Sequence, residues 1–233
     1  MWVIYRLAVA GSAFLGLFTA GAHARELAGQ PIAKEKAAQL VEAVGGAEVW
    51  SQSKSFMVRE TVYLANGETA DLVVKRNLDD ITRWISLSAE SFEYEEVLDV
   101  ASGWSGRDGN AAAYTPEELA AERRGLEQSP YYVYHRLAKN DPMLRVEWLE
   151  EENRLNIYEG SERLLCWFFL DGRGNPMSWA NIYNERENRH NYGPLVDVGD
   201  ANFPKWGAAA DASWRFEYLE AVFSDQTVKM PAL

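Results

Sequence analysis

The sequence has 233 residues, of which 23 are lysine or arginine and 35 are aspartate or glutamate, giving a net charge of −12 at pH 7. Such a charge repels phosphate backbones and anionic surfaces, so nucleic acids are excluded as expected partners. The single cysteine, Cys166, rules out a disulfide within the chain. It lies in the apolar run RLLCWFFL, which indicates a buried and inert thiol.

The first 24 residues have the features of a secretory signal peptide. Arg6 supplies a positive charge, residues 7–18 are apolar, and the small-residue motif AHA ends at position 24. The apolar run is short for a membrane span, so cleavage is favoured over the alternative of an uncleaved anchor. We therefore expect residues 1–24 to be removed and residues 25–233 to form a single domain that is exported to the periplasm.

After the signal peptide, the chain begins with a helix and continues with a β pattern. PIAKEKAAQLVEAVGG carries an apolar stripe of Leu40, Val41 and Val44 and stops at a glycine pair. Four strands follow, in SFMVRETVYL, ADLVVKRN, ITRWISLS and SFEYEEVLDV, and the ANGE segment after the first is typical of a hairpin turn. SGWSGRDGN is interpreted as a glycine-rich turn.

Alternation in the second of these strands places an arginine at the end of an otherwise apolar face. With a period of two, Leu72, Val74 and Arg76 share one face, while the lysine before Arg76 points to the other. We expect Arg76 at the rim of the sheet, with its head bonded to backbone or acidic groups of covering helices in residues 115–140. The alternative is an ordinary ion pair at the rim with Asp79, Asp80 or a neighbouring glutamate.

Two helices interrupt the β pattern in the middle of the chain. The first, in YTPEELAAERRGLEQ, has a capping box formed by Thr115 and Glu118, with Pro116 at the first helical position. The second, in SPYYVYHRLAKND, repeats the device with Ser129 and Pro130. Together they predict an inserted helix pair that covers one face of the sheet.

Strands resume after the helix pair and continue to the end of the chain. The segments MLRVEWLE, RLNIYEG, RLLCWFFLD, PMSWANIY, NRHNYG and WRFEYLEAVF predict six strands, with turns at residues 151–153, in DGRGNP and in YGPLVDVGDANFP. Short strands separated by frequent turns are typical of a meander or barrel. The predicted fold is mainly β (α+β): a curved, unclosed antiparallel β-barrel of about ten strands, covered by an N-terminal helix and an inserted helix pair.

The sequence contains no pattern of residues typical of a catalytic or metal site. His135 and His190 lack metal-ligand spacing, no G-x-S-x-G motif is present, and the acidic clusters at 93–96 and 150–152 are typical of solvated surface. We therefore expect no cofactor, no metal and no enzymatic activity. Eight of the nine tryptophans lie after the signal peptide, and they either fill a core or line an apolar ligand cavity.

Four segments in order resemble the LolA-type carriers of bacterial lipoproteins: KSFMVRETVYLANG, ADLVVKRNLDDITRW, EVLDVASGWSG and YGPLVDVGDANFPKW. The resemblance implies an unclosed barrel whose apolar cavity accepts acyl chains, and an arginine, here Arg76, that latches a helical lid. Carriers of this family move lipoproteins from the inner to the outer membrane, and members of the wider superfamily act as lipid or lipoprotein sensors. The chain departs from the carriers at Asn77, where they usually have proline.

These observations predict a periplasmic carrier that holds an apolar ligand, such as the acyl chain of a lipid or lipoprotein, in a half-barrel cavity. The alternative is a non-enzymatic sensor or interaction module of the envelope that uses the same fold and binds an envelope protein. The residues predicted to bind the ligand lie on the early and late strands: Phe56, Val58, Val62, Leu72, Val74, Arg76, Trp84, Trp214, Phe216 and Tyr218.

Overall fold

The computed structural model describes residues 26–183 and 185–232, so the predicted signal peptide and its cleavage point lie outside the described residues. The helices are α1 (Pro31–Ala43), α2 (Ala47–Gln52), α3 (Pro116–Glu127) and α4 (Pro130–Ala138). The strands of the first half are β1 (Ala28–Gly29), β2 (Ser55–Leu64), β3 (Thr69–Asn77), β4 (Thr82–Ala89), β5 (Glu93–Leu98), β6 (Gly103–Arg107) and β7 (Asn110–Ala113). Those of the second half are β8 (Leu144–Leu149), β9 (Arg154–Glu159), β10 (Arg163–Leu170), β11 (Pro176–Tyr183), β12 (Arg186–Tyr192), β13 (Leu195–Val198), β14 (Ala201–Pro204), β15 (Gly207–Ala209) and β16 (Trp214–Ser224).

Fourteen of the strands form one sheet in the order β1-β8-β9-β10-β11-β12-β15-β16-β2-β3-β4-β5-β6-β7. All neighbours are antiparallel except β1 and β8, which run parallel. The two edge strands, β1 and β7, do not pair with each other, so the sheet is unclosed. β13 and β14 form a separate hairpin. The prediction of a mainly β fold with an unclosed antiparallel sheet and covering helices is thus confirmed.

The predicted count of about ten strands is too low, because the described part of the chain contains sixteen. The ten predicted strands correspond to β2–β5, β8–β12 and β16. SGWSGRDGN, interpreted as a turn, contains β6 and the start of β7, and YGPLVDVGDANFP contains the hairpin of β13 and β14. The six additional strands have two to five residues each and lack an extended alternation of apolar and polar side chains.

The central strands place their alternating side chains as the sequence predicts. In the pairing of β2 with β3, Phe56 lies opposite Arg76 and Val58 opposite Val74. Arg76 is only 7 % exposed, on the same face as the buried Val74. The predicted inward position of Arg76 is therefore confirmed, and the lysine before it is on the outer face.

The helices differ in how deeply they enter the core. α1 buries its predicted apolar stripe, and six of the nine residues of α4 are buried, whereas α3 buries only Leu126. The capping box of α3 is present, with Glu118 N–H donating to Thr115 Oγ1 and Thr115 N–H donating to the Glu118 carboxylate. Ser129 occupies the N-cap of α4 but its side chain makes no capping hydrogen bond. α4 is thus a core element, and α3 is a more superficial cover.

The main core lies between α1, α2, α4 and the inner face of the sheet. Trp50 of α2 is fully buried, packs against Phe56 and Phe223, and donates from Nε1 to the Val44 carbonyl at 3.0 Å. Cys166 is fully buried in the same core, and its burial raises the pKa of the thiol well above its usual value. The predicted burial of this thiol is confirmed. Within the described ranges, no helix is both long and apolar enough to cross a membrane.

Candidate functional site

A cavity of about 310 Å³ lies between the inner face of the sheet and the helices α3 and α4. Its strand walls come from β2, β3, β4, β11, β12 and β16, which are close together in the sheet order, and this shows that the sheet is concave around the cavity. The apolar and aromatic lining consists of Leu72, Val74, Ile85, Leu126, Pro130, Tyr131, Trp179, Tyr192, Trp214 and Phe216. The polar lining consists of Glu60, Arg76, Arg83, Glu122, Ser129, Asn181, Tyr183, Asn188 and His190.

One end of the cavity is aromatic. His190 of β12 lies between Trp179 and Trp214, with ring centroids 5.3 Å and 4.9 Å away, and the ring of Phe216 is 6.3 Å away. Burial lowers the pKa of His190 to about 4, because the charged imidazolium loses its hydration. At neutral pH the histidine is therefore uncharged and forms part of a largely apolar wall.

The charged end of the cavity is built around Arg76. The Cζ atom of Arg76 lies 4.3 Å from the ring centroid of Tyr131 and 5.9 Å from that of Phe56, within the range of cation–π attraction. Arg76 Nε and Nη1 are buried and have no hydrogen-bond partner in the described part of the chain. Arginine is therefore held here by aromatic rings, with at least two donors unused.

The predicted hydrogen bonds and ion pair of Arg76 are wrong, because its contacts are with aromatic rings. The arginine does reach the helix pair, but through the ring of Tyr131 in α4 and not through backbone or acidic groups. The alternative ion pair with Asp79 is also absent, because that carboxylate instead contacts Lys139 and lies 3.1 Å from Nε2 of His135. Asp80 is exposed. Among the described residues, Arg76 thus has neither a hydrogen bond to the cover nor an ion pair with an aspartate or glutamate.

Glu60 is the second buried charged group of the cavity. It lies in β2 opposite Leu72 of β3 and Tyr218 of β16, and it is only 5 % exposed. Burial raises the pKa of Glu60 to about 7, and the positive charge of Arg76 opposes this rise only in part. Sequence reasoning missed this residue, although the alternation Phe56, Val58, Glu60 already places it on the inner face.

The other arginine of the cavity is neutralised by its neighbours. Arg83 of β4 lies opposite Arg76 in the sheet and forms a close ion pair with the buried carboxylate of Glu96. A second carboxylate, that of Glu122 in α3, lies 4.0 Å from the same guanidinium. Among the described residues that line the cavity, Arg76 is therefore the arginine or lysine that lacks an ion-pair partner.

Five of the ten residues predicted to bind the ligand line this cavity: Leu72, Val74, Arg76, Trp214 and Phe216. Four others lie behind its wall. Phe56 and Val58 are fully buried in the core, Val62 packs with Phe216 in a small second cluster, and the Tyr218 hydroxyl closely contacts that of Tyr131.

The placement of Trp84 in the cavity is wrong. Trp84 pairs with Lys75 on the outer face of the sheet, where the Lys75 ammonium lies 4.5 Å from its ring centroid. Its Nε1 donates to Glu95 Oε1 at 2.7 Å. The physical reason is the period of two in a strand, which turns Arg83 and Ile85 inward and therefore Trp84 outward.

A second groove, of about 460 Å³, lies beside α4 and is lined by charged side chains together with Leu78, Ile81 and Pro142. Its charged side chains already bind each other. Arg136 donates to Asp141 at 2.7 Å and to Glu159 at 2.9 Å, and His135 lies within hydrogen-bond distance of Asp79. Across the described residues, no group of three or more His, Cys, Asp or Glu side chains is arranged to hold a metal ion. The cavity is therefore the better candidate site.

Comparison with known proteins adds no assignment to this geometry. A scan of the sequence against protein-family models found no match, and a search of curated proteins found no significant similarity. The cavity and the residues that line it are therefore the features that bear on function.

Proposed function

We propose that this protein is a periplasmic, non-enzymatic carrier that holds an apolar ligand, such as the acyl chain of a lipid or lipoprotein, in the cavity under α3 and α4. The observation that carries the proposal is the apolar wall formed by Leu72, Ile85, Trp214 and Phe216 on a concave sheet. Burying a hydrocarbon chain is favourable by about 0.8 kcal/mol per CH₂ group. A chain of several methylene groups therefore gains enough to offset the cost of ordering it.

The size of the cavity supports a single chain as the ligand. Its volume of about 310 Å³ is near the lower end of ligand pockets, which span roughly 300–1,000 Å³. A cargo with more than one chain needs the cover to move, and α3 is the part of the cover with the smaller buried surface. The predicted signal peptide and the resemblance to LolA-type carriers support the periplasm as the place of action.

A cavity-filling substitution tests the proposal. Leu72→Trp adds bulk on the inner face of β3, and Val73→Trp adds the same bulk on the outer face of the same strand. We expect wild type to bind a fluorescent long-chain acyl probe saturably and Leu72→Trp to lose about tenfold in affinity, equivalent to roughly two methylene contacts. Val73→Trp should bind as wild type does. Fluorescence titration measures the affinities, and circular dichroism confirms that each variant is folded.

Two outcomes contradict this proposal. The first is that folded wild type binds none of several acyl probes, which favours the alternative of an envelope sensor or interaction module. The second is that the two tryptophan variants lose affinity equally, which places the probe outside the cavity. Native mass spectrometry of protein purified from the periplasm, with extraction of any bound lipid, identifies the natural ligand independently.

A further inference from the structure

Arg76 is unusual because it is buried and charged, yet it forms no ion pair within the part of the chain that the structure describes. Buried polar groups in proteins nearly always have hydrogen-bond partners, and a buried charge without a partner is costly. Yet only 7 % of Arg76 is exposed to solvent, and its Nε and Nη1 have no hydrogen-bond partner among the described residues. The cation–π contact with Tyr131 offsets part of this cost but leaves Nε and Nη1 without a hydrogen bond. The site is therefore incomplete without an acceptor.

The position of Arg76 indicates where that acceptor would come from. Arg76 lines the cavity together with Leu72 and Val74, the residues that precede it on the inner face of β3. The charge of its cross-strand neighbour Arg83 is paired with Glu96, although Arg83 Nε has no partner in the described part of the chain. While Glu60 is protonated, a ligand entering the cavity therefore meets one uncompensated positive charge next to an apolar wall. An amphiphile with one anionic group and one hydrocarbon chain matches this arrangement.

We propose that Arg76 binds the carboxylate head group of a long-chain fatty acid whose hydrocarbon chain lies along the wall of Leu72, Ile85 and Phe216. This inference rests on the proposed carrier function and specifies the ligand class of the same cavity. The guanidinium has a planar fork of donors that matches the two oxygens of a carboxylate. One uncompensated cation also favours a monoanion over a dianionic phosphate, because the charge of Arg83, the other arginine of the cavity, is already paired with Glu96.

Glu60 makes this binding dependent on pH. The groups around its carboxyl are Arg76 of β3, Tyr131 of α4, Tyr192 of β12 and Tyr218 of β16. Burial raises the pKa of each of these three tyrosines, so they stay neutral through the physiological range. Below about pH 7 Glu60 is mostly neutral and Arg76 is free to bind an anion; above it, the Glu60 carboxylate competes with the ligand. His190 is neutral throughout this range.

The experiment compares a fluorescent long-chain fatty acid with its methyl ester, which has the same chain but no charge. At pH 6 we expect wild type to bind the acid about tenfold more tightly than the ester, because a charge-assisted hydrogen-bonded pair is formed only with the acid. In Arg76→Met the ratio of the two affinities should fall to about one, while Arg76→Lys should restore part of it. Lys75→Met, on the outer face of the same strand, should keep the wild-type ratio.

A second variant keeps the test decisive if Arg76→Met does not fold. In wild type the affinity for the acid should fall several-fold between pH 6 and pH 8, and in Glu60→Gln it should stay at its pH 6 value. If Glu60→Gln shows the same fall as wild type, the head group does not lie beside Arg76 and Glu60, and the proposal is overturned.

The remaining outcomes separate this inference from the carrier function. If wild type binds acid and ester equally and Arg76→Met changes nothing, the carrier function stands and the head-group site is overturned. If wild type binds neither compound, the carrier function itself fails. If a monoalkyl phosphate of the same chain length binds more tightly than the acid, the assignment to a carboxylate is overturned.

Discussion

Glu60 and His190 both line the cavity, and burial shifts their pKa values in opposite directions, to about 7 and to about 4. Folding therefore favours the neutral form of each. The folded protein retains a proton on Glu60 that the unfolded chain releases above about pH 4.5, so this group contributes stability that is lost as pH rises through 7. His190 does the opposite: its contribution is present above about pH 6.5 and is lost as pH falls towards 4.

We predict that single substitutions expose these opposing contributions. Relative to Glu60→Gln, wild type should lose on the order of 2–3 kcal/mol of unfolding free energy between pH 5 and pH 8, since one pKa unit corresponds to about 1.4 kcal/mol. Relative to His190→Gln, wild type should gain a similar amount between pH 4 and pH 7. Urea denaturation of the three proteins across this range measures both differences. Differences close to zero would instead show that these groups titrate normally in the folded protein.

The directions of individual side chains show how much of the cavity can be predicted from the sequence alone. Strand periodicity is sufficient to place Arg76, Leu72 and Phe216 on the inner face, because alternation fixes the direction of each side chain. Periodicity does not predict that Trp179 and His190 line the same cavity as Arg76. Their position depends on the curvature of the sheet, which brings them close to Arg76 although they follow it by over a hundred residues in the chain.

The two covering helices have different sources of stability. α4 is fixed by tertiary packing, including the hydrogen bond from the Tyr132 hydroxyl to the Thr82 carbonyl. α3 has a single buried residue, so the capping box at Thr115 and polar contacts at its surface, such as that of Arg123 with the Asp99 carbonyl, contribute most to its order. This difference makes α3 the part of the cover that can open with little cost to the rest of the fold.

We predict that Thr115→Ala loosens α3 without unfolding the domain. Loss of an N-cap hydroxyl typically costs about 1 kcal/mol, which corresponds to several-fold faster amide exchange across residues 116–127. Ser129→Ala is the matched control, because that N-cap side chain makes no capping bond and its removal should leave exchange in α4 unchanged. Hydrogen exchange with mass spectrometry measures both. Equal effects of the two substitutions would contradict the assignment of α3 as the locally stabilised helix.

The elements differ in how well the sequence predicts them. The long strand β2 spans ten residues and β16 alternates from Trp214 to Tyr218, before its register shifts. The capping box is a local motif, so these elements are predictable. β15 is not, because it is Gly-Ala-Ala and exists through packing: a Cβ added at Gly207 would lie 2.1 Å from the Phe216 ring. Short strands of this kind acquire their structure from neighbours that are distant in sequence.

At the scale of the whole molecule, the single cysteine reports on whether the cover and the sheet separate. Cys166 is fully buried in β10, and the ring of its strand neighbour Phe168 lies 5.5 Å from that of Tyr134 in α4. The thiol is thus near the face that α4 covers. Because α4 belongs to the main core, Cys166 should become accessible only when the whole domain unfolds, even though α3 opens independently.

We predict that the free energy of opening obtained from Cys166 labelling equals the unfolding free energy from urea denaturation. A thiol reagent reacts only with the exposed thiolate, and burial both shields the sulfur and raises the pKa of the thiol. Ser88→Cys in a Cys166→Ala background provides an exposed reference thiol and should react at the rate of an unfolded peptide.

A saturating acyl ligand at about 100 times its dissociation constant should slow Cys166 labelling about a hundredfold, because it binds only the folded protein. Labelling of Cys166 that is much faster than global unfolding would instead show that α4 lifts from the sheet on its own, and ligands would then enter under both helices.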